Sequence, residues 1–159
     1  MPESPDPRAV SGRRRPPARW IALREHAPVL AVIALGGALG AVARYGLAVL
    51  LPTQPGHFPL ATFLTNVSGC FLIGILMVAV TEAWTAHRLV RPFLGIGILG
   101  GYTTFSTYTV EIRGLLDAGE ADVALGYLAA TLVAALPAVA LGMALARLAF
   151  VRRERAVRP

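Results

Sequence analysis

The sequence predicts an all-α membrane protein of four transmembrane helices, the third of them broken near its middle. Three observations carry this. Hydrophobic residues make up 55% of the 159, and the mean hydropathy is +0.61. Long apolar runs alternate with short polar connections, as in polytopic membrane proteins. One of those runs holds Gly-Gly and a cluster of hydroxyl residues at its centre, where helix-forming residues are expected.

The first span covers residues 28–51 (PVLAVIALGGALGAVARYGLAVLL), the second 59–81 (PLATFLTNVSGCFLIGILMVAVT), the third 93–113 and the fourth 123–150. Each is long enough for a hydrocarbon core of about 30 Å. The turn PTQPGH (52–57) joins spans one and two, EAWTAHRLVRP joins two and three, and GLLDAGEAD joins three and four. Residues 1–27 read as a disordered, Arg- and Pro-rich cytoplasmic tail, 28–150 as the transmembrane domain and 151–159 as a basic C-terminal tail. A cleaved signal peptide fits poorly, because the first apolar run is long for one and no small-residue cleavage site follows it.

All 15 basic residues are arginine, against 9 acids, and they gather in the two tails. That placement speaks for lipid headgroups and topology, with no nucleic-acid partner. Cys70 is the only cysteine, so an intrachain disulfide is excluded, and with His26, His57 and His87 scattered there is no spacing for a zinc cluster.

Small residues recur at helical spacing: Gly36 with Gly40, Thr65 with Gly69, Cys70 with Gly74, and Gly97 with Gly101. In lipid such pairs let helix backbones approach closely. Four short spans enclose too little for a pore, so an oligomer is expected.

The polar residues inside the spans carry the chemistry. Arg44 lies deep in the first span, Asn66 in the second, and Thr103, Thr104, Ser106 and Thr107 straddle the middle of the third. An ionisable group at that depth points to function, unless it snorkels to the interface. Asn66 alone would be read as an interhelical hydrogen bond. In GGYTTFSTY (100–108) the glycine pair and the β-branched pair weaken the helix. A break frees carbonyl oxygens, which membrane interiors tolerate only where they are buried in protein or line a cavity, and which are hard ligands for a cation such as sodium. Alternatively the hydroxyls bond back one turn and the helix merely bends. Phe105 and Tyr108 fall on one face, and their ring edges carry the positive end of the aromatic quadrupole, to which a small anion is attracted.

Three motifs, GGALGAVARY (36–45), TNVSGCFLIG (65–74) and GILGGYTTFST (97–107), resemble those of the CrcB/Fluc family of fluoride channels, in the same order. The resemblance implies a multi-pass protein of a bacterial plasma membrane, no enzyme, that passes fluoride ion passively out of the cell. It implies an antiparallel, dual-topology dimer in the lipid bilayer with two pores. A structural sodium ion (Na+), not transported, would be held by the backbone carbonyls of Gly100 and Thr103. Carried onto this chain, the pore residues are Asn66, Phe105, Tyr108, Ser106 and Thr104, with Tyr127 and Thr131 as a polar track in the fourth span and Arg44 as a central electropositive group. Tyr108 departs from the usual Phe and brings a hydroxyl that needs a partner, and the next hydroxyl of the track falls near Ala135. The second subunit is either a copy of this chain or an oppositely oriented paralogue. The rivals are a small four-helix multidrug-type exporter, which needs a carboxylate deep in a span where Glu82 and Glu111 read as span ends, and a non-transporting membrane assembly protein.

Overall fold

The computed structural model describes residues 18–83 and 88–157, and among these the regular structure is entirely helical. Helix α1 runs Ala18–Leu50, with Pro28 inside it. The boundary expected at residue 28 therefore lies within a helix; residues 1–17 and 158–159 of the expected tails lie outside the described residues. At 1.5 Å per residue α1 is about 50 Å long, so it overreaches the hydrocarbon core. Pro52 follows its end, and a turn closed by His57 N–H on the Gln54 carbonyl, with Gly56 at φ 76°, reverses the chain.

Helix α2 runs Leu60–Val78 and widens into π-helical turns over Ala79–Ala83. Helix α3, residues 92–102, begins with π-helical turns over Pro92–Leu99 and ends as the α-helical Gly100–Tyr102. The chain then leaves helical geometry, with Thr103 extended at φ −76°, ψ 156°, and resumes as α4 at Ser106–Asp117. Gly119, at φ 86°, stops α4 with the Glu120 N–H on the Leu115 carbonyl and its own N–H on the Leu116 carbonyl. This is a Schellman ending, in which the left-handed glycine lets the last carbonyls find donors. The connection to α5, Ala121–Val157, is thus shorter than the sequence suggests.

Three segments are long and apolar enough to cross a membrane, His26–Leu50, Leu60–Thr81 and Ala121–Phe150. The end-to-end pair α3 and α4 packs alongside them, α3 on α1 and α4 on α5. The chain is therefore an all-α, multi-pass membrane protein.

Two parallel helix pairs make the bundle. In the first, α1 meets α3 so closely that a Cβ on Gly36 would strike the Phe93 carbonyl, one on Gly40 the Ile98 carbonyl, and one on Gly101 the Gly37 carbonyl. In the second, Gly74 of α2 sits under the Val139 carbonyl of α5, and Gly142 of α5 under the Phe71 carbonyl. Backbone contact of this kind is what small residues provide where lipid removes the hydrophobic drive for helices to associate. Tyr108, Leu115, Ala124 and Tyr127 form the buried cluster, flanked by Phe63, Ile112 and Val123, and it joins α4 to α2 and α5.

Candidate functional site: the interruption between α3 and α4

Four consecutive residues at the interruption are each held by a neighbouring helix. Arg44 Nε of α1 donates to the Gly101 carbonyl at 3.2 Å. The Tyr102 hydroxyl lies 2.9 Å from Ser68 Oγ of α2. The Thr103 methyl rests where a Cβ on Gly69 would otherwise stand. Asn66 grips Thr104 twice, Nδ2 donating to its carbonyl and Oδ1 accepting from its N–H, both at 2.9 Å. This amide reproduces the pairing of a missing backbone strand, which is how an extended residue is satisfied at membrane depth.

The diverted donors identify the released carbonyls. Thr104 N–H, which would close a helical turn on Gly100, goes to Asn66, and Thr107 N–H, which would close on Thr103, goes to Thr104 Oγ1 at 3.1 Å. These two carbonyls are the ones the resemblance assigns to sodium. The glycine itself is not what turns the chain: Gly100 has helical φ −67°, ψ −32°, and a Cβ there would come no closer than 3.9 Å to the Gly95 carbonyl. The chain leaves helical geometry beyond it, at Thr103, where Asn66 holds the next residue.

Five of the seven expected pore residues line one cleft, Ser106 and Tyr127 line neither of two neighbouring cavities, and Arg44 stands in the second. A cleft of about 360 Å³ brings together Asn66, Thr104, Phe105, Tyr108 and Thr131, with Gly100 and Thr103 at its wall; Ala135 also lines it, so the track is apolar there. Phe105 is 79% exposed, whereas Tyr108 is 7% exposed, and their ring centroids are 6.0 Å apart. The Tyr108 hydroxyl donates to the Leu128 carbonyl at 3.1 Å, the partner its extra oxygen requires. Tyr127 is fully buried, so it stands behind the cleft as packing, edge-on to Tyr108 at 5.0 Å and to Phe58 at 5.1 Å. Thr131 donates to the carbonyl of Tyr127 one turn back. Ser106 is exposed, 3.3 Å from Thr104 Oγ1.

Arg44 belongs to a second cavity, of about 320 Å³, shared with Thr62, Thr65, Thr107 and Glu111. Glu111 corrects the sequence reading. It is half-buried among the helices, accepting from Thr62 Oγ1 on one oxygen and from the Tyr127 hydroxyl on the other, each at 2.8 Å. Sequence reasoning took it for a span end because the third span was ended too early; α4 continues to Asp117. The absence of a carboxylate among the helices therefore no longer argues against an exporter.

Comparison with known proteins decides what that argument cannot. The family described as "CrcB-like protein, Camphor Resistance (CrcB)" matches residues 31–143, which include every residue of both cavities. The chain belongs to the CrcB family. Among its relatives, "Fluoride-specific ion channel FluC 2" of Nocardia farcinica is 60% identical over 119 residues, 75% of this chain and 85% of the relative. A protein of the same name from Streptomyces avermitilis is 59% identical over 119 residues, 75% of each chain. That organism has a further relative, FluC 3, 49% identical over 127 residues, 80% of this chain and 62% of the relative. This CrcB protein is thus a bacterial plasma-membrane protein by its relatives and its helices.

Proposed function

We propose that this chain is the subunit of a fluoride-selective channel that lets fluoride leave the bacterial cytoplasm passively, with no reaction catalysed. The observation that carries the reading is the cleft at the interruption. There an exposed phenylalanine edge, hydroxyls and an amide converge at mid-bundle without a carboxylate on the wall, in a chain whose relatives are named fluoride-specific channels.

Fluoride is small and strongly hydrated, so its water must be replaced donor by donor. Asn66 spends one of its two N–H groups on Thr104, which leaves the second for the ion. The hydroxyls of Thr104 and Thr131 already donate inside the protein, so each exchanges one hydrogen bond for another as the ion passes, at a net difference of about 1 kcal/mol. Phe105 offers its positive edge without adding a charge that would trap the ion. Arg44 keeps the interior electropositive and, through Gly101, fixes the end of α3.

A second subunit is part of the proposal. The third helix then acts as a broken transmembrane helix whose open side meets its counterpart in an antiparallel dimer. Exposure of Gly100 and Phe105 supports this. The carbonyls of Gly100 and Thr103, with their helical donors diverted, have the oxygen chemistry of a sodium site, and Gly100 faces the side where a partner would add its own pair. Bound there, sodium would supply a fixed positive charge between the subunits.

The test is efflux from liposomes reconstituted with the purified chain, read by a fluoride electrode. Fast fluoride release with chloride retained is expected from the chain alone or reconstituted together with an oppositely oriented paralogue; release of both ions, or of neither in either preparation, overturns the reading.

A further inference from the structure

Of the four residues tied down at the interruption, Tyr102 is the one whose tether has no part in the pore as described above. Its partner Ser68 already donates to the Leu64 carbonyl at 2.6 Å, so the shared proton of the 2.9 Å Tyr102–Ser68 contact comes from the phenol. The ring lies along α2, its Cδ1 3.5 Å from where a Cβ on Gly69 would stand. Both groups are half-buried. Ser68 stands two residues along α2 from Asn66: Asn66 takes Thr104, and Ser68 takes Tyr102. Thr103 is therefore bracketed, its neighbours on both sides bonded to one helix. The Thr103 carbonyl shares its peptide plane with the Thr104 N–H, so Asn66 sets its direction, while the Tyr102 tether holds the residue before it and leaves the one extended residue between the two anchors little freedom to swing.

We infer that Ser68 and Tyr102 are a positioning pair that orients the carbonyls at the end of α3, Thr103 above all, for whatever cation they hold. The inference rests on the cation reading given under Proposed function. The pair touches neither the ion path nor the ion. Its contribution is to the affinity of the carbonyl site, with the donors that face fluoride left in place.

The test uses Tyr102→Phe, Ser68→Ala and the double variant in the full chain, each reconstituted as the parent is. Fluoride efflux is measured as sodium is exchanged for a large organic cation, and amide hydrogen exchange is followed over residues 103–107. Loss of one neutral hydrogen bond should raise the sodium concentration for half-maximal efflux about fivefold. Exchange at the interruption should accelerate, while fluoride-over-chloride selectivity stays at the parent value. The double variant should shift no further than either single one, since both remove the same bond. Parent-like sodium dependence and exchange in both single variants would overturn the inference, as would shifts that multiply in the double variant. If the parent itself carries fluoride without regard to sodium, the cation reading fails separately, and the exchange rates with the double-variant comparison still decide whether the pair positions the chain.

Discussion

Phe105 and Tyr108 show how one face of one turn can hold two different jobs. Tyr108 is 7% exposed, bonded to Leu128 and stacked edge-on with Tyr127, so it supports α4 against α5; Phe105 projects from the same turn into the open. Removing the Phe105 ring therefore disturbs little beyond its tilted contact with Tyr108. Phe105→Ile keeps apolar bulk and loses the positive edge, which is worth about 1 kcal/mol, so efflux should slow about fivefold with the protein still folded by size-exclusion chromatography. Efflux at the parent rate would remove the ring from the mechanism. Asn66→Asp acts differently. One carboxylate oxygen can still accept Thr104 N–H, but the other is pressed against the Thr104 carbonyl where a donor stood. The clasp is broken and a negative charge enters an anion path, so flux should stop in liposome assays. A conducting Asn66→Asp channel would return this residue to packing alone. The identity of these residues was readable in sequence because polar and aromatic groups are costly or conspicuous at mid-span. Which neighbour each one meets was not, since Asn66 and Thr104 are brought together only by the packing of α2 against the interruption.

At the scale of the element, the glycines and the interruption separate into different causes. The α1–α3 seam needs Gly40 and Gly101 for backbone contact, whereas Gly100 faces open space within the subunit. Gly40→Ala and Gly101→Ala should each cost about 1–3 kcal/mol from overpacking, seen as lower yield and a lower unfolding temperature in detergent. Gly100→Ala should fold like the parent and lose flux, if at all, through its partner-facing side; a Gly100→Ala chain that fails to fold would show that the seam has been misread. Sodium belongs to the same element. With the Gly100 and Thr103 carbonyls deprived of their helical donors, exhaustive replacement of sodium by a large organic cation should slow fluoride efflux at least about tenfold, because those oxygens then lack the cation as well as their helical donors. Undiminished efflux would exclude a cation from the mechanism. The seam glycines were legible as spacing, since Gly36 and Gly40 answer Gly97 and Gly101. Gly142 was not, because its α2 partner is Phe71, a large residue whose carbonyl rather than side chain makes the contact.

For the whole molecule, the path of the chain distributes charge unevenly between the two faces of the bundle. The start of α1, residues 88–91 ahead of α3 and the end of α5 share one face, while the turn at Gly56 and the ending at Gly119 share the other, with Glu120 packed near Gly56. Arg88, Arg91 and Arg147 lie on the first face, and in sequence Arg8, Arg13, Arg14, Arg15, Arg19 and Arg24 precede the first span while Arg152, Arg153, Arg155 and Arg158 follow the last. The second carries Arg113, which pairs with Asp117 at 3.7 Å, and the acids Glu120 and Asp122. Arginines near span ends set orientation, so this imbalance should hold both termini in the cytoplasm. An antiparallel homodimer would require the same chain to insert both ways, and nothing in its charge favours the inverted form. The expected assembly is therefore this subunit with an oppositely oriented paralogue, an arrangement open to an organism such as Streptomyces avermitilis, which has more than one relative of this chain. Single cysteines engineered into each tail, on a background in which Cys70 is replaced, test it in cells expressing this chain alone. Labelling by a membrane-impermeant thiol reagent should require the membrane to be opened. Comparable labelling in intact and opened cells would demonstrate dual insertion and make the homodimer the working channel.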